Sequence, residues 1–234
     1  MTAILVEAAG PVDAWRRVVN LLGKQGNLFN VVVSIASPLD FTYGQLREAD
    51  PRKMLHTARS VEDVANTIFP KRGVAWNLSD EDFAQHYERA YEKLIGRGPR
   101  SWGMYFLRLI RFGPTRVNQL EKIVKGMSSW GKNHKAAFVV HFSSAQTDAP
   151  RPLGAPCLQF CEFIRDGDGL SLLAVYRSHD YFLKALGNFI GLARLLEYVA
   201  YRVGLPVGAI VCHSTYAYLD GNKGNALSLV AGMK

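Results

Sequence analysis

The chain has 234 residues and a mass of 26.0 kDa, with 48% hydrophobic residues and a formal net charge of +8. This length and this hydrophobic fraction predict one folded α/β domain over residues 1–234 and argue against intrinsic disorder. No run of about 18 apolar residues occurs in the sequence, which argues against a membrane-spanning helix. The N-terminus has no basic residue ahead of its short apolar run, so we expect no signal peptide.

The basic charge has two possible meanings. It indicates either an anionic partner, such as a nucleotide or nucleic acid, or lysines and arginines scattered over the surface of an ordinary soluble protein. The sequence contains no dense run of five or six basic residues, so we do not expect nucleic acid as the partner. The three cysteines, Cys157, Cys161 and Cys212, lack metal-ligand spacing. They predict no metal site and indicate reduced thiols in the cytoplasm.

Hydrophobic periodicity predicts an alternation of helices and strands in the first half of the chain. One glycine, Gly26, and two prolines, Pro38 and Pro70, mark where these elements end. The predicted elements are a helix over 13–24 that stops near Gly26, a strand over 30–37, loop and short turns over 40–58, a helix over 60–69 that begins at a capping box formed by Ser60 and Asp63, and a helix over 79–95.

The second half of the chain shows the same kind of alternation, with a clear hairpin in the middle. The predicted elements are a helix over 117–130, a buried strand over 136–142, two antiparallel strands over 157–164 and 170–176, an amphipathic helix over 181–203, a strand over 208–220 and a flexible tail from Gly221.

The hairpin brings two chemically important side chains together. Cys157 starts its first strand, and Arg177 follows the end of its second strand. A fixed positive charge lowers the pKa of a neighbouring thiol and favours the nucleophilic thiolate. The hairpin therefore predicts a reactive cysteine at its open end. The alternatives are a buried structural cysteine and an ion pair between Arg177 and Asp180.

Several segments around this hairpin resemble the thymidylate synthase family, which includes the pyrimidine nucleotide hydroxymethylases. The resemblance covers residues 102–218, and it is closest to the short archaeal branch of the family. The order of the motifs and the spacing between the cysteine, the arginine and the asparagine also match. The matching pieces are Pro156-Cys157-Leu158-Gln159, Arg177-Ser178-x-Asp180-x-Phe182, Asn188, and Ser214-Thr215-Tyr216-Ala217-Tyr218, the last of which is similar to the family's Ser-Ala-His-Ile-Tyr strand.

The resemblance implies a role for each matched residue. Cys157 would add as a thiolate to carbon 6 of a pyrimidine ring, which activates carbon 5. Arg177 and Ser178 would bind the nucleotide phosphate, and Asp180 would belong to the same substrate site. Asn188 would read the N3–H and O4 of uracil, because a carboxamide offers both a donor and an acceptor. An aspartate at that position would favour cytosine.

Other expected residues are less certain matches or departures from the family. Tyr218 would bind the sugar hydroxyl together with Tyr216, which stands where the family has histidine. Trp102-Gly103-Met104-Tyr105 resembles the family's aromatic-Gly segment that lines the nucleotide pocket, and Trp102 would also bind the cofactor. The family places two arginines here that reach into the partner subunit's phosphate site. In this chain the positions hold His134 and Lys135, so Lys135 keeps one cation for the phosphate, but the bidentate guanidinium is lost.

Two roles have several candidates in the sequence. Arg47, Arg52 and Arg59 are candidates for the family's early phosphate-binding arginine, and Glu48, Glu62 and Asp63 are candidates for its proton-relay glutamate. None of the six lies in a recognisable motif, so a solvated surface charge is the favoured interpretation of each. His179 and His213 receive no role.

The resemblance also implies a fold and an activity. The fold is α/β, with a mixed, mainly antiparallel sheet, helices on one side and a homodimer formed through the open face. The activity is methylation or hydroxymethylation at carbon 5 of a uridylate-type nucleotide such as dUMP, with 5,10-methylenetetrahydrofolate as the one-carbon donor. The alternative is a nucleotide-binding relative that has lost catalysis and acts as a sensor or scaffold. Tyr216, His134-Lys135 and the unplaced glutamate support this alternative.

Overall fold

A seven-stranded mixed sheet forms the framework of the protein. We describe it from a computed structural model, which covers residues 2–95, 104–130, 135, 137–148 and 154–233. The strands, in chain order, are β1 (Ile4–Ala8), β2 (Leu28–Ile35), β3 (Phe138–His141), β4 (Leu158–Asp166), β5 (Gly169–Tyr176), β6 (His179–Asp180) and β7 (Val207–Tyr218).

The strand order along the sheet is β1-β2-β7-β5-β4-β3, with the short β6 also paired to β7. The pairs β2/β7, β5/β4 and β4/β3 are antiparallel, whereas β1/β2, β7/β5 and β6/β7 are parallel. The three antiparallel pairs are longer together than the three parallel ones, so the expected α/β fold with a mixed, mainly antiparallel sheet is confirmed. The β4–β5 hairpin lies next to β7, which contains the Tyr216 and Tyr218 motif.

Eight helices accompany the sheet in the described part of the chain. They are α1 (Pro11–Gln25), α2 (Tyr43–Glu48), α3 (Val61–Ile68), α4 (Asp80–Ile95), α5 (Tyr105–Ile110), α6 (Gln119–Ser129), α7 (Ala185–Val203) and α8 (Lys223–Ala231), with two short 3-10 helices at Pro51–Lys53 and Val74–Asn77. None of these described helices is long and apolar enough to cross a membrane.

The helices cover one face of the sheet and leave the other open. Side chains alternate along each strand, so only every second residue faces the helices. In β2, Val31, Val33 and Ile35 are fully buried, whereas the residues between them are only partly buried. The α7 helix packs on β5 and β7 and contacts α1, α3 and α6, which places these helices in one layer.

Local sequence signals define several helix ends correctly. Gly26 ends α1 with a φ of 80°, a conformation that glycine adopts without strain. At the start of α3, the Ser60 hydroxyl accepts a hydrogen bond from the Asp63 backbone N–H at 3.0 Å, and the Asp63 carboxylate accepts one from the Ser60 N–H. This is the predicted capping box.

Two predicted boundaries are wrong. The helix expected over 181–203 begins only at Ala185, because the Asp180 carboxylate accepts hydrogen bonds from the backbone N–H groups of Phe182 and Leu183 and holds a turn there. The tail from Gly221 contains α8, whose residues Ala226, Leu229 and Val230 are buried. The α8 helix packs against α1, and this tertiary contact leaves no clear signal in so short a segment.

Helices α7 and α3 pack closely against each other at a glycine of α7. A Cβ atom at Gly187 would lie 2.5 Å from Val64 Cβ and 2.7 Å from the Val61 carbonyl oxygen. We expect Gly187→Ala to lower the free energy of unfolding by about 1–3 kcal/mol, because the two helices must separate. Chemical denaturation measures this change.

Gly224→Ala is the matched control, because a Cβ atom there meets nothing within 4 Å. Gly224 lies in α8, where alanine is the better helix former. An equal loss of stability in both variants would show that the α3–α7 contact is not the cause.

Candidate functional site

A cavity of about 390 Å³ opens beside the start of the β4–β5 hairpin. Its volume lies in the range of roughly 300–1,000 Å³ that is usual for small-molecule sites. Strands β6 and β7, helices α3 and α7 and the segment before β4 all contribute to its wall. The lining residues are Arg59, Val64, Thr67, Tyr105, Gly154, Ala155, Cys157, Ser178, His179, Asp180, Leu183, Lys184, Asn188, Tyr218 and Asp220.

Cys157 is placed at the cavity by an irregularity in the hairpin. The β4–β5 register shifts between Leu158 and Phe160, and such bulges re-aim neighbouring side chains. The phenol oxygen of Tyr105 accepts hydrogen bonds from the backbone N–H groups of Cys157 at 3.1 Å and of Leu158 at 3.3 Å. Cys161, by contrast, is 0% exposed and belongs to the core, as expected.

Arg177 lies beside Cys157, as the hairpin predicted. The Arg177 backbone N–H donates to the Cys157 carbonyl at 2.9 Å. Its guanidinium donates to the carbonyls of Pro156 at 3.1 Å and Ala155 at 3.3 Å. This arrangement orders the segment that carries the thiol and does not form the alternative ion pair with Asp180.

The net effect on the thiol differs from our expectation. Burial raises the pKa of Cys157 above its usual value, and the positive charges of Arg177 and Lys184 offset only part of that rise. A buried thiol loses hydration when it ionises, which outweighs the neighbouring cations here. Arg177 lowers the pKa of Cys157, as predicted, but burial has the larger effect, so the pKa of the thiol lies above its usual value.

Ser178, Asp180 and Tyr218 come together because β6 pairs with the end of β7. Asp180 lies opposite Tyr218 in this pairing. Burial raises the pKa of Asp180, while the backbone N–H groups of Leu183 and Phe182 oppose that rise. Burial also raises the pKa of Tyr218, and a hydrogen bond with Ser178 opposes it. The three side chains therefore offer hydroxyl, phenol and carboxylate groups to one ligand.

Asn188 lies at the inner end of the cavity, in the first turn of α7. Only 5% of its surface is exposed. Its amide nitrogen Nδ2 lies 3.0 Å from Nε2 of His179, which is also buried. His179 was given no role from the sequence, yet it lines the cavity and contacts the residue expected to read the base.

Of the predicted site residues that the structure describes, Arg177, Tyr216 and Lys135 do not line the cavity. The Tyr216 phenol accepts a hydrogen bond from Asn27 Nδ2 at 2.8 Å, and its ring stacks on that of Tyr218 with centroids 5.4 Å apart. Lys135 is exposed and does not line the cavity. Trp102 and His134 lie outside the described residues.

The lining of the cavity distinguishes among the three candidates for the early phosphate-binding arginine. Of the three arginines, only Arg59 lines it; Arg47 and Arg52 line a second depression beyond α3. Arg52 also pairs with Asp50 at 2.8 Å. The early phosphate-binding role therefore fits Arg59 best.

None of the three acidic candidates lines the described cavity wall. Glu62 pairs with Arg194 at 2.7 Å, and Asp63 caps α3. Helix α3 presents Val64 and Thr67 to the cavity instead. The acidic side chains of the described wall are the aspartates Asp180 and Asp220, so it contains no glutamate to relay a proton.

The arrangement of thiol, asparagine, aspartate and tyrosine agrees with the motifs that suggested it, and comparison with known proteins decides the family. The family model described as thymidylate synthase matches residues 55–228 of the chain. The protein belongs to the thymidylate synthase family. The match begins before Arg59 and includes all the cavity residues, so it extends well beyond the 102–218 region of the resemblance.

Curated relatives point to the archaeal members of the thymidylate synthase family. The chain is 26% identical over 216 residues to a protein of Methanococcoides burtonii named "Putative thymidylate synthase", covering 92% of this chain and 88% of that protein. A protein of the same name from Methanosarcina acetivorans is 27% identical over 220 residues, again with 92% and 88% coverage. A third, from Methanopyrus kandleri, is 31% identical over 144 residues, or 60% of this chain and 66% of that protein.

The position of Arg177 in this thymidylate synthase family protein leads to a prediction about the thiol. Arg177→Ala removes a charge that favours the thiolate, so the pKa of Cys157 should rise further. Because alkylation requires the thiolate, iodoacetamide should modify Cys157 severalfold more slowly at a given pH, and the pH at half-maximal rate should increase. Mass spectrometry of intact protein follows the reaction.

Cys161 and Cys212 provide an internal control in the same measurement, since both are 0% exposed and should stay unmodified while the protein is folded. An unchanged pH profile in Arg177→Ala would mean that the guanidinium does not act on the thiol.

Proposed function

We propose that the protein transfers a one-carbon unit to carbon 5 of a pyrimidine nucleotide, a uridylate-type nucleotide such as dUMP. The single observation that carries the proposal is that Cys157, Ser178, Asp180, Asn188 and Tyr218 all line one cavity. Four of these residues belong to the β4–β5 hairpin and to the turn and helix that follow it, and Tyr218 comes from β7. The pairing of β6 with β7 and the packing of α7 on the sheet bring all five to one space.

Cys157 acts as the nucleophile in this proposal. Its Sγ adds to carbon 6 of the ring, and carbon 5 then becomes nucleophilic enough to bond a one-carbon electrophile. The hydrogen at carbon 5 leaves as a proton, and the bond between carbon 6 and sulfur then breaks to release the thiolate. A thiol whose pKa is raised by burial suits this scheme if the bound nucleotide promotes ionisation at the moment of attack.

The nucleotide phosphate is held by cationic and hydroxyl groups at the mouth of the cavity. Arg59 and Lys184 line the wall, and Arg177 lies behind Cys157. Ser178 supplies a hydroxyl donor. Arginine suits phosphate because its planar guanidinium can donate two parallel hydrogen bonds.

A folate donor fits the remaining surface. Val64 and Leu183 give the wall apolar patches suited to a flat ring, and Asp180 is a partly desolvated carboxylate suited to accept hydrogen bonds from ring N–H groups. We therefore propose that Asp180 and Trp102 hold 5,10-methylenetetrahydrofolate. When bound, the folate would supply the one-carbon unit as a methylene group, which a hydride from the folate would convert to methyl and a water molecule would convert to hydroxymethyl.

A homodimer through the open face of the sheet is also part of the proposal. That face presents apolar side chains that stay only partly buried in the single chain, among them Phe160, Leu173, Val175 and Val211. Lys135 is exposed just before β3, the edge strand of the sheet, and would contact the partner subunit's phosphate site. The three cysteines are unpaired, which supports a reducing, cytoplasmic location.

A second candidate is a nucleotide-binding relative that has lost catalysis and acts as a sensor or scaffold. One observation favours it, namely that Val64 and Thr67 occupy the α3 wall and the described cavity has no glutamate. In that case the same cavity binds the nucleotide but no proton leaves carbon 5.

Release of tritium from [5-³H]dUMP in the presence of methylenetetrahydrofolate tests the proposal. We expect tritium to appear in water, and chromatography of the product to identify either a methyl or a hydroxymethyl group at carbon 5. Binding of dUMP without tritium release would favour the sensor, and the absence of both binding and release would reject both candidates.

A further inference from the structure

A chain of buried polar side chains extends from the cavity into the core. Asn188 Nδ2 lies 3.0 Å from His179 Nε2, His179 Nδ1 lies 2.8 Å from Ser214 Oγ, and Ser214 Oγ lies 3.0 Å from the Tyr181 phenol. His179 is 1% exposed, and Ser214 and Tyr181 are 0% exposed. The proposed reaction assigns no role to any of the three inner residues.

The imidazole of His179 is fixed in both position and charge. Its ring stacks on Tyr176 with centroids 4.0 Å apart and an angle of 6°, and Phe189 packs against it edge-on. Complete burial lowers the pKa of His179 to about 3, so the ring is neutral at physiological pH. A neutral imidazole has one N–H donor and one bare acceptor nitrogen.

The neighbour on each side of the ring decides which nitrogen carries the proton. The amide nitrogen of Asn188 faces Nε2 and can only donate, so Nε2 must be the bare acceptor. The proton then resides on Nδ1 and is donated to Ser214 Oγ. The hydrogen bond made by one ring nitrogen thus fixes the state of the other.

This arrangement also fixes the orientation of the Asn188 carboxamide. One amide hydrogen is used by His179, so the amide oxygen and the second amide hydrogen remain for a ligand. If the amide turned by 180°, its oxygen would face Nε2, and that nitrogen would then need the proton. A uracil edge and a cytosine edge present donors and acceptors in opposite order, so each amide orientation suits only one of the two bases.

We propose that His179 is a positioning residue that holds the Asn188 carboxamide in one orientation and thereby sets the preference for a uracil over a cytosine nucleotide. This inference rests on the proposed function, because it assumes that a pyrimidine base lies against Asn188. His179 does not touch the reacting atoms in this account; it acts through Asn188.

The ratio of the dissociation constants for dCMP and dUMP tests the proposal, measured by isothermal titration calorimetry. His179→Phe keeps an aromatic ring against Tyr176 but removes both nitrogens, which frees the carboxamide to rotate. We expect the ratio to fall by roughly fivefold to tenfold, the equivalent of about one hydrogen bond. If His179 had a purely structural role, His179→Phe would weaken the binding of both nucleotides equally and leave the ratio of their dissociation constants unchanged.

Ser214→Ala provides a second variant that keeps the imidazole. Loss of the hydroxyl leaves the Nδ1 proton without its acceptor, which favours transfer of the proton to Nε2 and rotation of the amide. The ratio should therefore again fall. The matched control is His213→Phe. His213 lies on the same sheet, where its Nε2 is 3.2 Å from Asn30 Oδ1, but it does not line the cavity. The ratio of the two dissociation constants in this variant should equal that of the wild type.

Nitrogen-15 NMR of the unmodified protein tests the same idea without substitution. We expect His179 to show a protonated Nδ1, a bare Nε2 and no titration down to pH 5. A proton found on Nε2 would overturn the proposal, and so would a nucleotide ratio that survives both variants. Wild-type protein that binds neither nucleotide would instead overturn the proposed function on which the inference rests.

Discussion

Cys157→Ala is expected to abolish tritium release from [5-³H]dUMP while leaving dUMP binding largely intact. Removing a covalent nucleophile typically reduces turnover by more than about 10³-fold. Binding should change little, since the contacts assigned to the nucleotide come from Arg59, Ser178, Asn188 and Tyr218. Tritium release measures turnover and calorimetry measures binding in the same preparation.

Cys161→Ala is the control for loss of a thiol from the same hairpin. Its side chain is 0% exposed and belongs to the core, so this variant should lose some stability but keep tritium release. If Cys157→Ala released tritium at the wild-type rate, covalent addition by this residue would be ruled out. Equal loss of binding and release in Cys157→Ala would instead indicate a damaged cavity.

The sequence predicted those parts of the site that lie close together along the chain. Cys157, Ser178, Asp180 and Asn188 belong to one hairpin and the turn and helix that follow it, so their order and spacing carried enough information. The capping box at Ser60 was readable for the same reason, because it involves residues only three apart. Arg59 emerged from three candidates only when the structure showed which one lines the cavity.

Residues that reach the site through tertiary packing were missed. Tyr105 lies in the aromatic-Gly segment that the resemblance placed at the pocket, but its hydrogen bond to the backbone of Cys157, 52 positions away, was not predicted. The raised pKa of Cys157 follows from burial by several elements, whereas the sequence revealed only the neighbouring charge of Arg177. The proposed role of His179 was missed for the same reason. That role depends on Ser214 and Asn188, which contact the two nitrogens of its ring, and the sequence did not indicate either contact.

At two positions taken from the family resemblance, the structure shows contacts other than those the resemblance implied. These positions are Tyr216 and the acidic residues of α3. Tyr216 occupies the position of a family histidine, yet its phenol bonds to Asn27 and its ring supports Tyr218. Two of the three candidates for the proton relay, Glu62 and Asp63, lie on α3, yet this helix presents Val64 and Thr67 to the cavity. In the described wall of the cavity, the carboxylates of Asp180 and Asp220 and the phenols of Tyr105 and Tyr218 are the acidic groups that remain as candidates for proton transfer.

Asn188→Asp is expected to shift base preference from uracil towards cytosine. A carboxylate accepts hydrogen bonds but cannot donate to the uracil O4, whereas it can accept from the amino group of cytosine. A mismatched base edge typically costs about 1–3 kcal/mol, so the preference for dUMP should fall by roughly tenfold or more. Tritium release from [5-³H]dUMP and [5-³H]dCMP, measured side by side, gives this change directly.

The substitution also acts on His179. A carboxylate has no hydrogen to give Nε2, so the imidazole proton must move from Nδ1 to Nε2, and the neighbouring negative charge should raise the pKa of His179 from its low value of about 3. Because the protonated form then becomes accessible on acidification, the effect of Asn188→Asp on base preference should depend on pH, whereas wild-type preference should not.

Asn66→Asp makes the same chemical change outside the site and serves as the control. Asn66 lies on α3, where its side chain accepts a hydrogen bond from Arg194 at 3.1 Å, and it does not line the cavity. Its added charge faces an arginine, so base preference should stay at the wild-type value. If Asn188→Asp left the preference unchanged as well, Asn188 would not be the residue that reads the base, and the buried chain through His179 would have only a structural role.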